Sequence, residues 1–307
     1  MTLRLMGARL VQFPLILAVI YLVTFWLTWV VPGSPFEGTE KKISKEAIRA
    51  MEERFHATDS ASFLAYYPWR IITEGDFGES LTSDFTVNEI IGQALPISVT
   101  LGLFALVIAT ACGIALGTLA AVRRGGVLDF LSLTVALVGI SLPSFVAAGV
   151  LLVTFCVRWP IFTIARWGHL SDLVLPGIAL SLLPMAYVAR LTRVAMLDVL
   201  SSDFVRTARA KGLSRSSVIW KHCLRNAILP VVSYLGPAAA VTLTGSFVVE
   251  KVFNVPGLGW HFVNSVTNKD QTLILGVVMV YSAILLTFNL LVDLSYAVID
   301  PRIDLSK

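Results

Sequence analysis

Six long stretches of this chain carry no charged residue, and that spacing restricts the possible folds more than any motif does. Between Arg9 and Glu37 there are 27 uncharged positions, between Glu89 and Arg123 there are 33, and between Asp129 and Arg158 there are 28. Intervals of 17, 24 and 22 positions follow between Asp172 and Arg190, Arg225 and Glu250, and Asp270 and Asp293. Crossing about 30 Å of hydrocarbon takes about 20 apolar helical residues. Six candidate spans result, the 17-residue one if Arg190 snorkels from a longer helix. The runs are continuously apolar rather than alternating, which favours helices over a barrel. Composition agrees: 56% of residues are hydrophobic and 14% charged, against about 25% charged in an ordinary soluble domain. A cytosolic enzyme and a disordered chain are both excluded.

The expected fold is therefore an all-α integral membrane protein with six transmembrane helices. The first covers 10–31, and the others cover about 97–122, 131–157, 173–196, 228–249 and 272–297. The first span follows Arg4 and Arg9, as a signal peptide would. Its apolar stretch from Leu10 to Val31 is longer than a signal-peptide core and ends in Pro32-Gly33-Ser34-Pro35 without a small-x-small site, so it reads as a retained anchor.

Lysine and arginine set the orientation. With the N-terminus inside, segments 1–10, 123–130, 190–230 and 299–307 carry 14 basic and 5 acidic residues. The outer segments 32–95, 158–172 and 250–272 then carry 10 basic and 14 acidic residues. Both termini, 1–9 and 299–307, are expected to be cytoplasmic.

The outer loop 32–95 is long enough for short helices. Ser44 is a candidate N-cap, Ile43 can staple onto Ile48, and Ile48, Met51 and Phe55 share a helical face. Such a helix either covers the outer mouth of the bundle or is a solvated turn. Asp76-Phe77-Gly78 matches a kinase triplet, but no Gly-rich loop, catalytic Lys or His-Arg-Asp accompanies it, so it is assigned no chemistry.

The inner segment from Arg190 to Pro230 sets eight basic residues against Asp198 and Asp203. Ser202-Asp203 offers an N-cap, Phe204–Lys211 a short helix, Gly212 a left-handed stop and Ser214 a cap for a second helix to about Cys223. The expected element is a helix–Gly–helix hairpin over 202–223. On charge alone it reads as a basic amphipathic element on anionic lipid.

Catalytic signatures are lacking. There is no G-x-x-x-x-G-K-[ST], H-E-x-x-H or G-x-S-x-G. His56, His169, His222 and His261 lie in different loops, and Cys112, Cys156 and Cys223 form no C-x-x-C. Asp293 is the one acid near a span interior, and structural pairing near the inner boundary is its simpler reading. No catalytic, cofactor-binding or metal residue is assigned. Gly113-x-x-x-Gly117 permits close helix packing, and Pro143, Pro176, Pro184, Pro230 and Pro237 interrupt helices where a pathway is lined.

The hairpin reads Phe204-Val-Arg-Thr-Ala-Arg-Ala-Lys-Gly-Leu213, followed by Asn226-Ala-Ile-Leu-Pro230. This resembles the cytoplasmic E-A-A…G…I-x-L-P signature of permease subunits of bacterial ABC importers, specifically the peptide-importer branch and its B-type oligopeptide permeases. Pro32-Gly33-Ser34-Pro35-Phe36, Gly75-Asp-Phe-Gly78, Leu142-Pro-Ser-Phe145, Gly245-Ser-Phe-Val-Val-Glu250, Pro256-Gly-Leu-Gly259 and Val292-Asp-Leu-Ser-Tyr-Ala-Val-Ile-Asp-Pro301 fit the same branch in order. Arg206-Thr207-Ala208 stand in place of the generic Glu-Ala-Ala, and the Ile-Leu-Pro falls five residues late, both as in that branch.

The resemblance implies a type I ABC importer permease fold in the bacterial inner membrane, with an ABC permease core over 96–298. It implies that Asp203, Phe204, Arg206, Thr207, Ala208, Lys211, Gly212 and Leu213 couple to cytoplasmic ATPases. The implied partners are a second, C-type permease, two ATPase subunits binding ATP and Mg, an external peptide-binding protein and membrane lipid, with no nucleic acid. Dipeptide, nickel and antimicrobial-peptide importers share this permease type. A secondary transporter or channel, told apart by uptake on a proton gradient without ATPases, and a membrane sensor acting through the basic loop are the rivals.

Overall fold

A computed structural model describes residues 2–30, 60–164 and 166–299. The expected Ser44 helix and the segment 300–307 lie outside the described residues. Every element among the described residues is helical, apart from one isolated bridge between Glu79 and Thr86. The described residues form two compact units, one drawn from 2–30, 60–98 and 256–290, the other from 99–164, 166–255 and 291–299.

In the first unit, α1 (Thr2–Val30) packs on α2 (Ser60–Glu74), a helix of the long segment between the first two expected spans. Tyr21 and Phe25 of α1 meet Phe63 and Tyr67 of α2 in a run of stacked rings 5.3–6.2 Å apart. The buried phenols keep hydrogen bonds: Tyr21 donates to the Leu64 carbonyl and Tyr67 to that of Thr272, each at 3.1 Å. Between α2 and α3 (Val87–Val122), loop 75–86 wraps around a buried carboxylate, Asp270. Asp270 accepts from the Ser80 hydroxyl (2.5 Å), the Thr82 hydroxyl (2.9 Å) and the Leu81 N–H (3.0 Å). It also caps α12 (Gln271–Ile299) through the Leu273 N–H (3.1 Å), and the Thr272 hydroxyl donates to the Glu79 carbonyl at 2.7 Å. Asp76 of the kinase-like triplet is an anchor: it pairs with Arg70 and accepts the Gly78 N–H at 2.8 Å.

The second unit is built on α6 (Leu170–Leu200), with α4 (Val127–Ser141), α5 (Ser144–Leu152, continued by a π turn over Val153–Arg158) and α10 (Leu229–Phe253) against it. Small residues let these backbones meet. A Cβ on Gly117 would lie 2.4 Å from the Ala189 carbonyl oxygen, one on Gly113 2.7 Å from Val188, and one on Gly139 2.9 Å from the Leu182 carbonyl oxygen. Gly113-x-x-x-Gly117 is therefore a helix-packing motif in this chain.

Two expected boundaries move. The helix that carries the second expected span begins at Val87, ten residues before 97. Thr86 and Glu89 form a capping box, with the Glu89 N–H on the Thr86 hydroxyl at 3.2 Å and the Thr86 N–H on the Glu89 carboxylate at 2.9 Å. Glu89, read as a charge outside the span, starts the helix. The expected continuous helix over 131–157 is broken at Leu142–Pro143, where α4 and the helix Ser144–Arg158 bend by 103°. Pro143 lacks an N–H and pushes Leu142 out of the helical region, to φ −92°, ψ 114°.

Among the described residues, four helices are long and apolar enough to cross a membrane: α1, α3, α6 and α12. The bent pair makes a fifth if it is one span, and Leu229–Ala240 of α10 is a shorter apolar stretch.

Candidate functional site

The basic segment between α6 and α10 folds as a closed hairpin. The C-terminal carbonyls of α6 would be left without partners, but two serines take them up. Ser201 donates to the Asp198 carbonyl at 2.7 Å and Ser202 to that of Val199 at 2.6 Å. Ser202 is the residue before α7 (Asp203–Ala210), yet its hydroxyl turns back to α6 and does not cap α7. The two-residue link brings it too close to α6's own carbonyls.

At the far end of α7 the chain closes a Schellman turn. Gly212 sits at φ +78°, its N–H donates to the Arg209 carbonyl at 3.0 Å, and the Leu213 N–H donates to that of Ala208 at 3.3 Å. Ser214 accepts the Ser217 N–H at 3.3 Å and starts the return arm. That arm is α8 (Arg215–Ser217), a π turn over Val218–Cys223 and α9 (Leu224–Ala227). The expected second helix is thus interrupted by a wider turn.

The inner face of the hairpin is apolar. Val205, Ala208, Val218, Cys223 and Ala227 pack with Met196 of α6 and Ala121 of α3. Burial pushes the Cys223 thiol up, so Cys223 serves as packing. Two arginines fasten the surroundings. Arg193 of α6 makes a two-pronged pair with the buried Asp129 of α4, Nε to Oδ1 at 2.6 Å and Nη2 to Oδ2 at 2.9 Å, while the Gly125 N–H donates to Oδ2 at 2.9 Å. Arg215 of the return arm reaches the Val122 carbonyl at 3.5 Å.

Of the eight residues expected to couple, seven form one exposed rim: Asp203, Phe204, Arg206, Thr207, Lys211, Gly212 and Leu213. Ala208 is the exception, turned into the hairpin's own core, where it braces the turn instead of facing outward. Phe204 and Leu213 leave about 40% of their surface open (43% and 41%) beside Arg206, Arg209 and Lys211. Asp203 and Arg206 stand 3.5 Å apart in the open, a pair worth little in water. Sequence reading missed the Asp129–Arg193 pair, since its partners are 64 positions apart. It also missed the core of Met196, Val205 and Val218; the spacing of Val205 and Ala208 was its available signal.

The family model described as binding-protein-dependent transport system inner membrane component matches residues 113–305. The Bacillus subtilis dipeptide transport system permease protein is 44% identical over 292 residues, covering 94% of each chain. The oligopeptide transport system permease protein of Salmonella typhimurium is 37% identical over 290 residues, again 94% of each chain. In fold, the chain is similar to a crystal structure of an amino acid ABC transporter with histidines, with a TM-score of 0.52 at 20% identity over 67% of this chain and 92% of that one.

Proposed function

The chain belongs to the family of binding-protein-dependent transport system inner membrane components, and on that premise we propose that it is a permease subunit of an ATP-driven peptide importer. One observation carries this reading: permeases named for dipeptide and oligopeptide transport align with more than nine-tenths of the chain at 37–44% identity. The chain supplies half of the translocation pathway, and a second, homologous permease supplies the other half. Six spans cross the bacterial inner membrane: α1, α3, the bent pair α4–α5 as one, α6, α10 and α12. Both termini are cytoplasmic. An external binding protein delivers the peptide, and two cytoplasmic ATPases hold ATP and Mg.

The hairpin is the coupling element. Its closed turn and apolar core make it a rigid body joined to α6 and α10, able to pass a displacement to both. Phe204 and Leu213 offer apolar anchors for an ATPase groove, and Arg206 and Lys211 supply the charge that orients docking. ATP drives the cycle only through different affinity for the two conformations.

The test is a complex with its permease and ATPase partners in proteoliposomes, assayed for ATP-dependent uptake of dialanine and of tetra-alanine. The paired peptides also read length preference. Phe204→Ala with Arg206→Glu is expected to weaken ATPase binding about tenfold or more, and Gly212→Pro with Ala208→Trp to abolish peptide-stimulated ATPase activity. Peptide uptake driven by a proton gradient without the ATPases overturns the reading.

A further inference from the structure

We propose that the break between α4 and α5, facing α6, is a peptide subsite on the translocation pathway, binding the substrate through its amide N–H groups or terminal ammonium. The proposal deepens the peptide-importer reading and rests on it.

A cavity of about 160 Å³ opens at the break, lined by Ser141, Leu142, Pro143 and Ser144 on one side and by Leu180 and Leu183 of α6 on the other. Its walls are rich in backbone acceptors without helical donors. Beyond the 103° bend, Ser144 and Phe145 no longer donate to the carbonyls of Ile140 and Ser141. On the facing helix, Pro184 has no N–H to give the Leu180 carbonyl four residues back. Two prolines on two helices thus remove helical donors beside the same cavity. No charged residue lies between Asp129 and Arg158 on the broken pair or between Asp172 and Arg190 on α6, and the break falls midway along its candidate span, 15 residues from Val127 and 15 from Arg158.

Irregular backbone at that depth persists only where protein buries it or a wet cavity solvates it. Here the cavity is present, Ser141 and Pro143 are exposed and Ser144 is half-buried, so a water-filled pathway on this face would solvate the break. The break frees carbonyls at the end of α4 and the Ser144 and Phe145 N–H groups at the start of α5, so with two hydroxyls it suits a ligand that carries N–H donors and carbonyl acceptors together, as interrupted helices hold polar substrates elsewhere in transporters. A peptide backbone and its ammonium end are such a ligand. Room for roughly five waters, at about 30 Å³ each, suits a peptide end and not a whole chain. The leucines and Ala179 leave the side chain an apolar wall without demanding a particular residue.

The experiment uses the full complex, with Cys112, Cys156 and Cys223 replaced by Ala or Ser and a single cysteine introduced by Ser141→Cys or Ser144→Cys. Both changes are nearly isosteric, so assembly is preserved. A hydrophilic, positively charged methanethiosulfonate is applied with and without dialanine. Modification is expected in the absence of peptide, slowing about tenfold at ten times the half-saturating concentration, and modified complexes are expected to lose uptake. Serine is also replaced by Ala at both positions, with a rise in half-saturating peptide concentration expected and little change in maximal rate. Cysteines that react equally with and without peptide, or never react, in a complex that still imports peptide overturn the subsite alone. A wild-type complex with no ATP-dependent peptide uptake overturns the proposed function and the subsite with it.

Discussion

The hairpin over 203–227 and the loop over 75–86 are both turns that must hold a fixed shape, and they do so by opposite means. The hairpin is closed by backbone hydrogen bonds around Gly212 and filled with small apolar side chains. The loop is gathered onto one buried carboxylate, Asp270, some 190 positions away in the chain. The first arrangement spreads its stability over many weak contacts. The second concentrates much of it in one group, which takes the hydroxyls of Ser80 and Thr82 and the N–H groups of Leu81 and Leu273. A distributed core tolerates single changes and moves as a body, which suits the coupling role proposed for the hairpin. A single buried carboxylate gives an all-or-none clasp.

Removing that carboxylate is therefore the largest expected effect. Asp270→Ala leaves the hydroxyls of Ser80 and Thr82 and the N–H groups of Leu81 and Leu273 without their acceptor. A cost on the order of 4 kcal/mol is expected. The change should appear as early thermal denaturation of the purified complex and rapid proteolysis within 75–86. Asp270→Asn, which keeps one acceptor oxygen, should fall between the two. A loss below about 1 kcal/mol would mean that the loop is held by something other than Asp270.

The same contrast explains what the sequence made legible. The hairpin is written in local signals: Gly212 two residues before Ser214, a basic run, and apolar positions three apart. Each acts within a few residues, so the turn, the stop and the cap are readable without knowing the fold. Thr86 and Glu89 are local too, but the charge-free count places Glu89 outside its helix, because counting charge ignores that a carboxylate is welcome in a first turn. Pro143 is visible in the sequence, yet proline inside a membrane helix is often tolerated. Only the packing of α4 and α5 on α6 decides for a bend of 103°. Asp270 and the Asp129–Arg193 pair depend on contacts across 64 to 190 positions, and no periodicity encodes those.

Truncating the centre of the hairpin's core should cost less than Asp270→Ala. Met196 is fully buried among Val205, Val218 and Cys223, and Met196→Ala is expected to lose about 3 kcal/mol through lost contacts and a residual cavity. The loss should appear as faster amide exchange across 203–227 with the exchange of 75–86 unchanged. Equal acceleration in both regions would show that the two elements do not respond separately. Nothing stands within 4 Å of a Cβ built on Gly212, so Gly212→Ala meets no clash and costs only the left-handed backbone, about 1 kcal/mol. Gly117→Ala is the steric counterpart, since its Cβ would strike the Ala189 carbonyl and α3 would have to move off α6.

The smallest expected effect tests how far stability is spread within the hairpin. Ser214 is exposed, and its oxygen accepts the Ser217 N–H at a long 3.3 Å. Such a cap is worth about 0.5 kcal/mol, the low end for its type, because water replaces it readily. If the core and the Schellman turn hold the return arm, Ser214→Ala should leave exchange at Val218 and Cys223 within about threefold of wild type, about 0.65 kcal/mol. It should add to Gly212→Ala without interaction, since the two act on different backbone groups. A much larger loss, or strong coupling between the two changes, would show that the turn is as concentrated as the Asp270 clasp. The hairpin would then yield at one point under load, and a displacement at Phe204 would not reach α6 and α10 together.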